Sequence, residues 1–249
     1  MPTPLAARDR LIVALDVSTG EEALRLAASL SHSVSTFKVG HQLFTAEGPQ
    51  LVRKLAGANR QVFLDLKFHD IPTTVAGAVR SAAALGVKML TVHAAGGSRM
   101  LKAAMDAWQG SQRPLVLAVT VLTSLRDEDM DEIGVSARTL DQTLRLAALA
   151  RACGCDGVVC SPHEAAELRR ELGTGFLIVT PGIRPAGAAM GDQSRAATPA
   201  EAITAGVDYL VVGRPITEAK NPARAAADVV VEIAAAAAES KTESSAVGR

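Results

Sequence analysis

Short apolar runs rich in β-branched residues recur along the chain, and a different rhythm follows each. The runs are "LIVAL" (11–15), "VSTFKV" (34–39), "QVFLDLK" (61–67), "VKMLTVHA" (87–94), "LVLAVTVL" (115–122), "DGVVCS" (156–161), "FLIVT" (176–180) and "DYLVVG" (208–213). They are nearly continuous in Val, Ile and Leu, the pattern of parallel strands covered on both faces by helices. Between them, "GEEALRLAASL", "TTVAGAVRSAAALG", "ARTLDQTLRLAALARACG" and "SPHEAAELRREL" repeat apolar residues three and four apart. That spacing gives an amphipathic helix, and Gly or Asn often marks the stops. Strand then helix, eight times over, predicts an α/β fold of the (β/α)8 TIM barrel type, one domain spanning residues 1–239. An open doubly wound sheet is the alternative, and the number of strands counts against it. The end, "AAAAAESKTESSAVGR" (234–249), starts as a helix and finishes in small polar residues. Residues 240–249 are therefore expected to form a disordered tail.

Composition narrows the classes. Apolar residues make up 48% of the 249, which excludes disorder of the whole chain. Lys plus Arg is 26 and Asp plus Glu is 26. Zero net charge gives no electrostatic argument for nucleic acid or for an anionic membrane, so neither is expected as a partner. No apolar run approaches the roughly 20 residues of a membrane span, and "MPTPLAARDR" lacks the apolar centre of a signal peptide. A cytoplasmic protein is expected. Cys153, Cys155 and Cys160 fit a compartment where thiols stay reduced. The C-x-C pair can be read as half a metal site. With no His or Cys partner at zinc spacing, small buried residues at a helix end and a strand are the better reading, and no metal is expected.

Against this background "FLDLKFHDIP" (63–72) stands out, because it sets charges inside a strand pattern. In a barrel of this type chemistry gathers at the C-terminal ends of the strands. There the sequence places Asp16, Lys38, Asp65 with Lys67, His93, Thr123 with Ser124, and Ser161. Asp70 lies just beyond the third strand. Side chains two apart on a strand share a face, so Asp65 and Lys67 point into the barrel mouth toward Lys38, while Leu64 and Leu66 face the helices. Unpaired buried charge is very costly, which favours alternating Lys and Asp. A purely structural ion-pair network closing the barrel top is the competing explanation.

A second constellation suits an anion. "TPGIRP" after strand seven offers Gly182 and Arg184, and "VVGRPIT" after strand eight offers Gly213 and Arg214. Glycine lets backbone N–H groups approach phosphate closely, and arginine grips it with a fork of donors. The stretch 184–199 is long for an α/β connection and rich in Gly and Ala, the composition of a mobile lid, with Gln193 able to reach a bound anion. A disordered loop is the alternative there.

Taken together these stretches resemble a known family. "DLKFHDIPTTV" is similar to the D-x-K-x-x-D-I-P signature of orotidine 5′-phosphate decarboxylase. "ALDVST" (14–19), "FKVG" (37–40), "TVHAAGG" (91–97), "VTVLTS" (119–124), "TPGIRP" (180–185), "GDQ" (191–193) and "VVGRPIT" (211–217) follow in family order. The signature alone is shared with a sugar-phosphate decarboxylase of the same superfamily. Its joint occurrence with "TPGIRP", a downstream Gln and "GRPI" is much more specific. The resemblance implies a homodimeric (β/α)8 enzyme that converts orotidine 5′-monophosphate to uridine 5′-monophosphate and carbon dioxide, with no metal and no organic cofactor. It implies a catalytic array of Lys38, Asp65, Lys67 and, from the other chain, Asp70. It also implies a ribose contact at Asp16, a contact from Thr74 to the partner's ribose, and a pyrimidine reader at Ser124 beside Thr123. Arg184, Gln193, Gly213 and Arg214 match the closing and phosphate positions. Ile71 and Pro181, inside the matched motifs, count with the substrate contacts. The rivals are a metal-dependent sugar-phosphate enzyme, which needs acidic metal ligands, and a non-catalytic phosphate-binding barrel, which has no use for Lys67 between two aspartates.

Overall fold

The computed structural model describes residues 5–108, 110, 112–185 and 196–247, with side chains described as far as residue 239. Eight parallel strands close on themselves in sequence order. They are β1 (Leu11–Ala14), β2 (Thr36–Gly40), β3 (Gln61–Phe68), β4 (Met89–His93), β5 (Leu115–Val119), β6 (Gly157–Val159), β7 (Leu177–Thr180) and β8 (Tyr209–Val212). All eight predicted runs are strands, most of them one to three residues shorter than the apolar pattern suggests. Helices follow where the 3.6-residue rhythm runs, including Gly20–Ser29, Pro72–Ala83, Thr139–Ala152 and Pro162–Leu172.

Strand alternation divides the apolar residues into two cores. Outward-facing residues such as Leu11, Val13, Phe37, Leu64, Leu90 and Ile178 pack beneath the helices, and Leu66 joins them in part. Inward-facing Ile12, Ala14, Phe63, Met89, Leu117, Val179, Tyr209 and Val211 fill the barrel. The inside is crowded enough to demand glycine at one point: a Cβ on Gly157 would stand 2.4 Å from the carbonyl oxygen of Leu177 on the neighbouring strand.

The N-terminal end of the barrel is fastened by charge. Arg113 grips both oxygens of Asp156 at 2.7 Å, and Asp156 also accepts from the Val116 N–H. Arg169 pairs with Asp208 at 2.6 Å, Asp208 accepts from the Ile178 N–H, and Arg10 donates to the Asp208 and Val207 carbonyls. These bonds tie strand starts together where no chemistry is expected.

The last helix runs from Pro222 to Val247 and so extends into the segment 240–249. The Ala run and the Glu and Lys after it are good helix formers, and no Gly or Pro interrupts before Gly248. Ser161, at the end of the sixth apolar run, serves the helix that follows. It is buried, it caps the helix Pro162–Leu172, and its N–H is held in return by Glu164.

Candidate active site

A cleft of about 480 Å3 opens at the C-terminal mouth of the barrel. Its floor is the top of the inner core, with Ala14, Phe63, Val159 and Val211. Its walls carry Asp16, Lys38, Asp65, Lys67, Thr123, Pro181, Arg184, Gly213 and Arg214, nine of the residues singled out from the sequence. Three loci converge in it: the charged ends of β1 to β3, the loop after β5, and the two loops after β7 and β8.

The charges form a chain. Lys38 Nζ donates to Asp16 at 2.9 Å and lies 3.9 Å from Asp65. Lys67 Nζ lies 2.9 Å from both oxygens of Asp65. The side chains of Lys38 and Asp65 are only 12% and 14% exposed, so each depends on its partner for compensation of lost hydration. Gly40 makes room for this chain, because a Cβ there would stand 2.8 Å from Lys38 Nζ. The glycine of "FKVG" thus has a steric reason.

Lys67 reaches this position by an irregular route. The pairing of β3 with β4 runs Phe63 to Met89 and Leu64 to Leu90, then jumps to Phe68 and Val92. Asp65, Leu66 and Lys67 together span the single residue Thr91. Lys67 adopts φ 48°, a left-handed conformation that costs a non-glycine residue about 1–2 kcal/mol. Strict alternation was expected to bring Asp65 and Lys67 together. They do meet, through a bulge with two extra residues. Bulges of this kind re-aim side chains near active sites. Two polar contacts hold it. The Lys67 N–H donates to Thr91 Oγ1 at 2.8 Å, and His41 Nε2 donates to the Leu66 carbonyl at 3.0 Å.

Behind the bulge, the rings of His69 and His93 lie 5.3 Å apart. Burial, and then the neighbouring His69 and Lys67, hold the His93 pKa below its ordinary value, with Asp65 opposing them. Across the cleft Arg184 is buried and donates to the Ile183 carbonyl at 3.0 Å. Burial, then the charge of Arg214, hold the Arg184 pKa below the usual arginine range. Two cations that repel each other at the edge of a cleft have the chemistry to hold an anion, since a bound phosphate would relieve both.

The remaining candidates lie elsewhere. Ser124 is exposed and does not line the cleft. Asp70 and Thr74 line a second pocket of about 310 Å3, which shares Lys67 with the cleft, together with Phe68 and His69. Asp70 accepts from the Ile71 N–H at 2.6 Å, and the Ile71 side chain is 64% exposed. Gln193 lies outside the described residues. Sequence reasoning missed Thr91 and His41. Thr91 shares the inward parity of His93 on β4, and applying the alternation rule to that strand would have found it.

Among the described residues no group of three or more His, Cys, Asp or Glu is placed to hold an ion. Cys153, Cys155 and Cys160 are buried and in no disulfide. Burial, then Cys153 and Asp156, push the Cys155 thiol up to about 12. No helix among the described residues is long and apolar enough to cross a membrane.

The geometry has close counterparts. Residues 9–229 match the model of the Orotidine 5'-phosphate decarboxylase / HUMPS family. A protein of Halorhodospira halophila named orotidine 5'-phosphate decarboxylase is 57% identical over 228 residues, covering 91% of this chain and 97% of that one. One of the same name from Nitrosospira multiformis is 56% identical over 215 residues, 86% of this chain and 89% of its own length. The crystal structure of orotidine 5'-phosphate decarboxylase from Lactobacillus acidophilus superposes with a TM-score of 0.81 at 40% identity, covering 90% of this chain and 99% of that one. With a barrel of the same build and a match over nearly its whole length, the chain belongs to the orotidine 5'-phosphate decarboxylase / HUMPS family.

Proposed function

We propose that this chain decarboxylates orotidine 5′-monophosphate to uridine 5′-monophosphate and carbon dioxide, the last step of de novo UMP synthesis, without a cofactor. We further propose that it works in the cytoplasm as a homodimer with shared active sites. The observation that carries the reading is the chain Asp16–Lys38–Asp65–Lys67 in a cleft whose far wall holds Arg184 and Arg214.

The chemistry explains the need for each group. Breaking the bond between C6 of the pyrimidine and its carboxylate leaves an electron pair on C6 with little resonance relief. A cation fixed at C6 stabilises that pair and then gives it a proton, and Lys67 takes both roles. Asp65, joined by Asp70 of the partner subunit, stands near the substrate carboxylate and disfavours its charge, a repulsion that disappears as carbon dioxide leaves. Because the fold fixes these charges in advance, no solvent has to reorganise in the transition state. Asp16 and Lys38 hold the ribose hydroxyls, helped by Thr74 of the partner subunit. Thr123 and Ser124 read the base, with Pro181 and Ile71 as apolar contacts. Arg184, Gly213, Arg214 and Gln193 take the phosphate. Phosphate binding far from C6 can be spent on holding the charged array closed, so it raises the rate of chemistry as well as affinity.

Following the ultraviolet absorbance of orotidine 5′-monophosphate tests the reading. Absorbance is expected to change with formation of uridine 5′-monophosphate, at a rate unaffected by EDTA. Failure to turn over this nucleotide, together with metal-dependent turnover of a sugar phosphate, overturns it in favour of the sugar-phosphate branch.

The phosphate assignment makes its own prediction. Arg214→Ala should lower kcat/KM for the nucleotide by about 10- to 100-fold, the worth of a hydrogen bond to a charged group. For the nucleoside, which has no phosphate to lose, it should change little. Equal slowing of both substrates would show that Arg214 does not grip phosphate.

A further inference from the structure

Thr91 is fully buried and is not among the residues lining the cleft, yet it touches two members of the charged chain. Its Oγ1 accepts from the Lys67 N–H at 2.8 Å and donates to Asp65 Oδ1 at 3.0 Å. A hydroxyl has one proton and two lone pairs. With a lone pair taken by the amide, the proton is committed to the carboxylate. Thr91 is also the one residue of β4 opposite the three residues Asp65, Leu66 and Lys67. A bulge leaves ladder groups unpaired, and here the orphaned Lys67 N–H finds the threonine hydroxyl in place of a strand carbonyl.

We propose that Thr91 is a positioning residue for decarboxylation: its hydroxyl locks the left-handed Lys67 backbone and the Asp65 carboxylate into one geometry, so that the lysine ammonium meets the reacting carbon. The proposal rests on the role given to Lys67 above. Valine matches threonine in shape but offers neither acceptor nor donor. In Thr91→Val the Lys67 amide and the Asp65 oxygen both lose their partner, and the bulge is free to relax toward a regular ladder. Misplacement of a catalytic group by about 1 Å can cost on the order of 10²-fold in rate. Arg184 and Arg214, across the cleft, are untouched.

The test is steady-state turnover of orotidine 5′-monophosphate by wild type, Thr91→Val, Thr91→Ser and Thr91→Ala, each checked for folding by circular dichroism. Thr91→Val is expected to lose about 10²-fold in kcat with little change in KM, and Thr91→Ser to recover most of the loss because it keeps the hydroxyl. If the valine variant does not fold, the serine and alanine variants still differ by the hydroxyl alone, and serine should be much the faster. A folded valine variant with wild-type kcat overturns the proposal. So does a serine variant as slow as alanine, which would make Thr91 a packing residue. An active wild type beside either of those results leaves the function standing and removes only the role of Thr91.

Discussion

Replacing Lys67 with alanine is expected to reduce kcat by on the order of 10⁴-fold or more and to leave the fold intact. The magnitude combines two losses. A positioned proton donor contributes about 10²–10⁴-fold, and a preorganised charge at a developing anion about 10²–10³-fold. Stability should change little, for reasons visible around the side chain. Lys67 is 26% exposed, so its removal opens no sealed cavity. Asp65 keeps Thr91 at 3.0 Å and Lys38 at 3.9 Å. Alanine carries the same Cβ as lysine and inherits the same left-handed φ, so backbone strain is neither added nor relieved. Absorbance assays beside circular dichroism and thermal melting decide it. A folded variant that turns over near the wild-type rate would remove Lys67 from the mechanism and return the charged chain to a structural role.

The second large effect comes from mixing two dead proteins. Asp70 lines a second pocket, joined to the main cleft only through Lys67, and the neighbouring Ile71 is strongly exposed. Within one chain it cannot be counted with the cleft residues; from a second chain docked on that face it could be. In the proposed two-fold dimer each chain would give its Lys67 to one site and its Asp70 to the other. Lys67→Ala and Asp70→Ala chains should each be inactive alone. Co-refolded, the mixed dimer draws both defects into one site and none into the other. With random pairing, roughly a quarter of the wild-type activity should return. Mixed dimers that form but stay inactive would show that Asp70 serves its own subunit.

The barrel was legible because its strands are buried on both faces. Runs such as "LIVAL" and "FLIVT" have no polar face to obscure them, and the helices between them keep a clear stripe. The charged residues were legible for the same reason: Asp65 and Lys67 violate an otherwise apolar strand, and violation of a local rule marks function. What escaped was backbone irregularity. Nothing in "DLKF" announces a left-handed lysine, since lysine has no preference for that conformation and the cause lies on another strand, in Thr91 and the register jump. Alternation pointed Lys67 to the correct side by a route the chain does not take. Asp70, Ile71, Thr74 and Ser124 match the family motif yet do not line the cleft of a single chain, because a motif records residue types in order and not which surface each one meets.

The ion pairs at the N-terminal end have a consequence for how such a barrel changes over time. Arg113–Asp156 and Arg169–Asp208 fasten the starts of β5 to β8, while the opposite rim holds a contorted lysine and two arginines that repel each other. Tension is kept at one end and anchorage at the other, about a strand's length apart. Substitutions at the rim can therefore retune what the protein accepts while the frame keeps its shape, whereas a lost arginine at the far end loosens every strand it ties and leaves the chemistry with nothing to stand on.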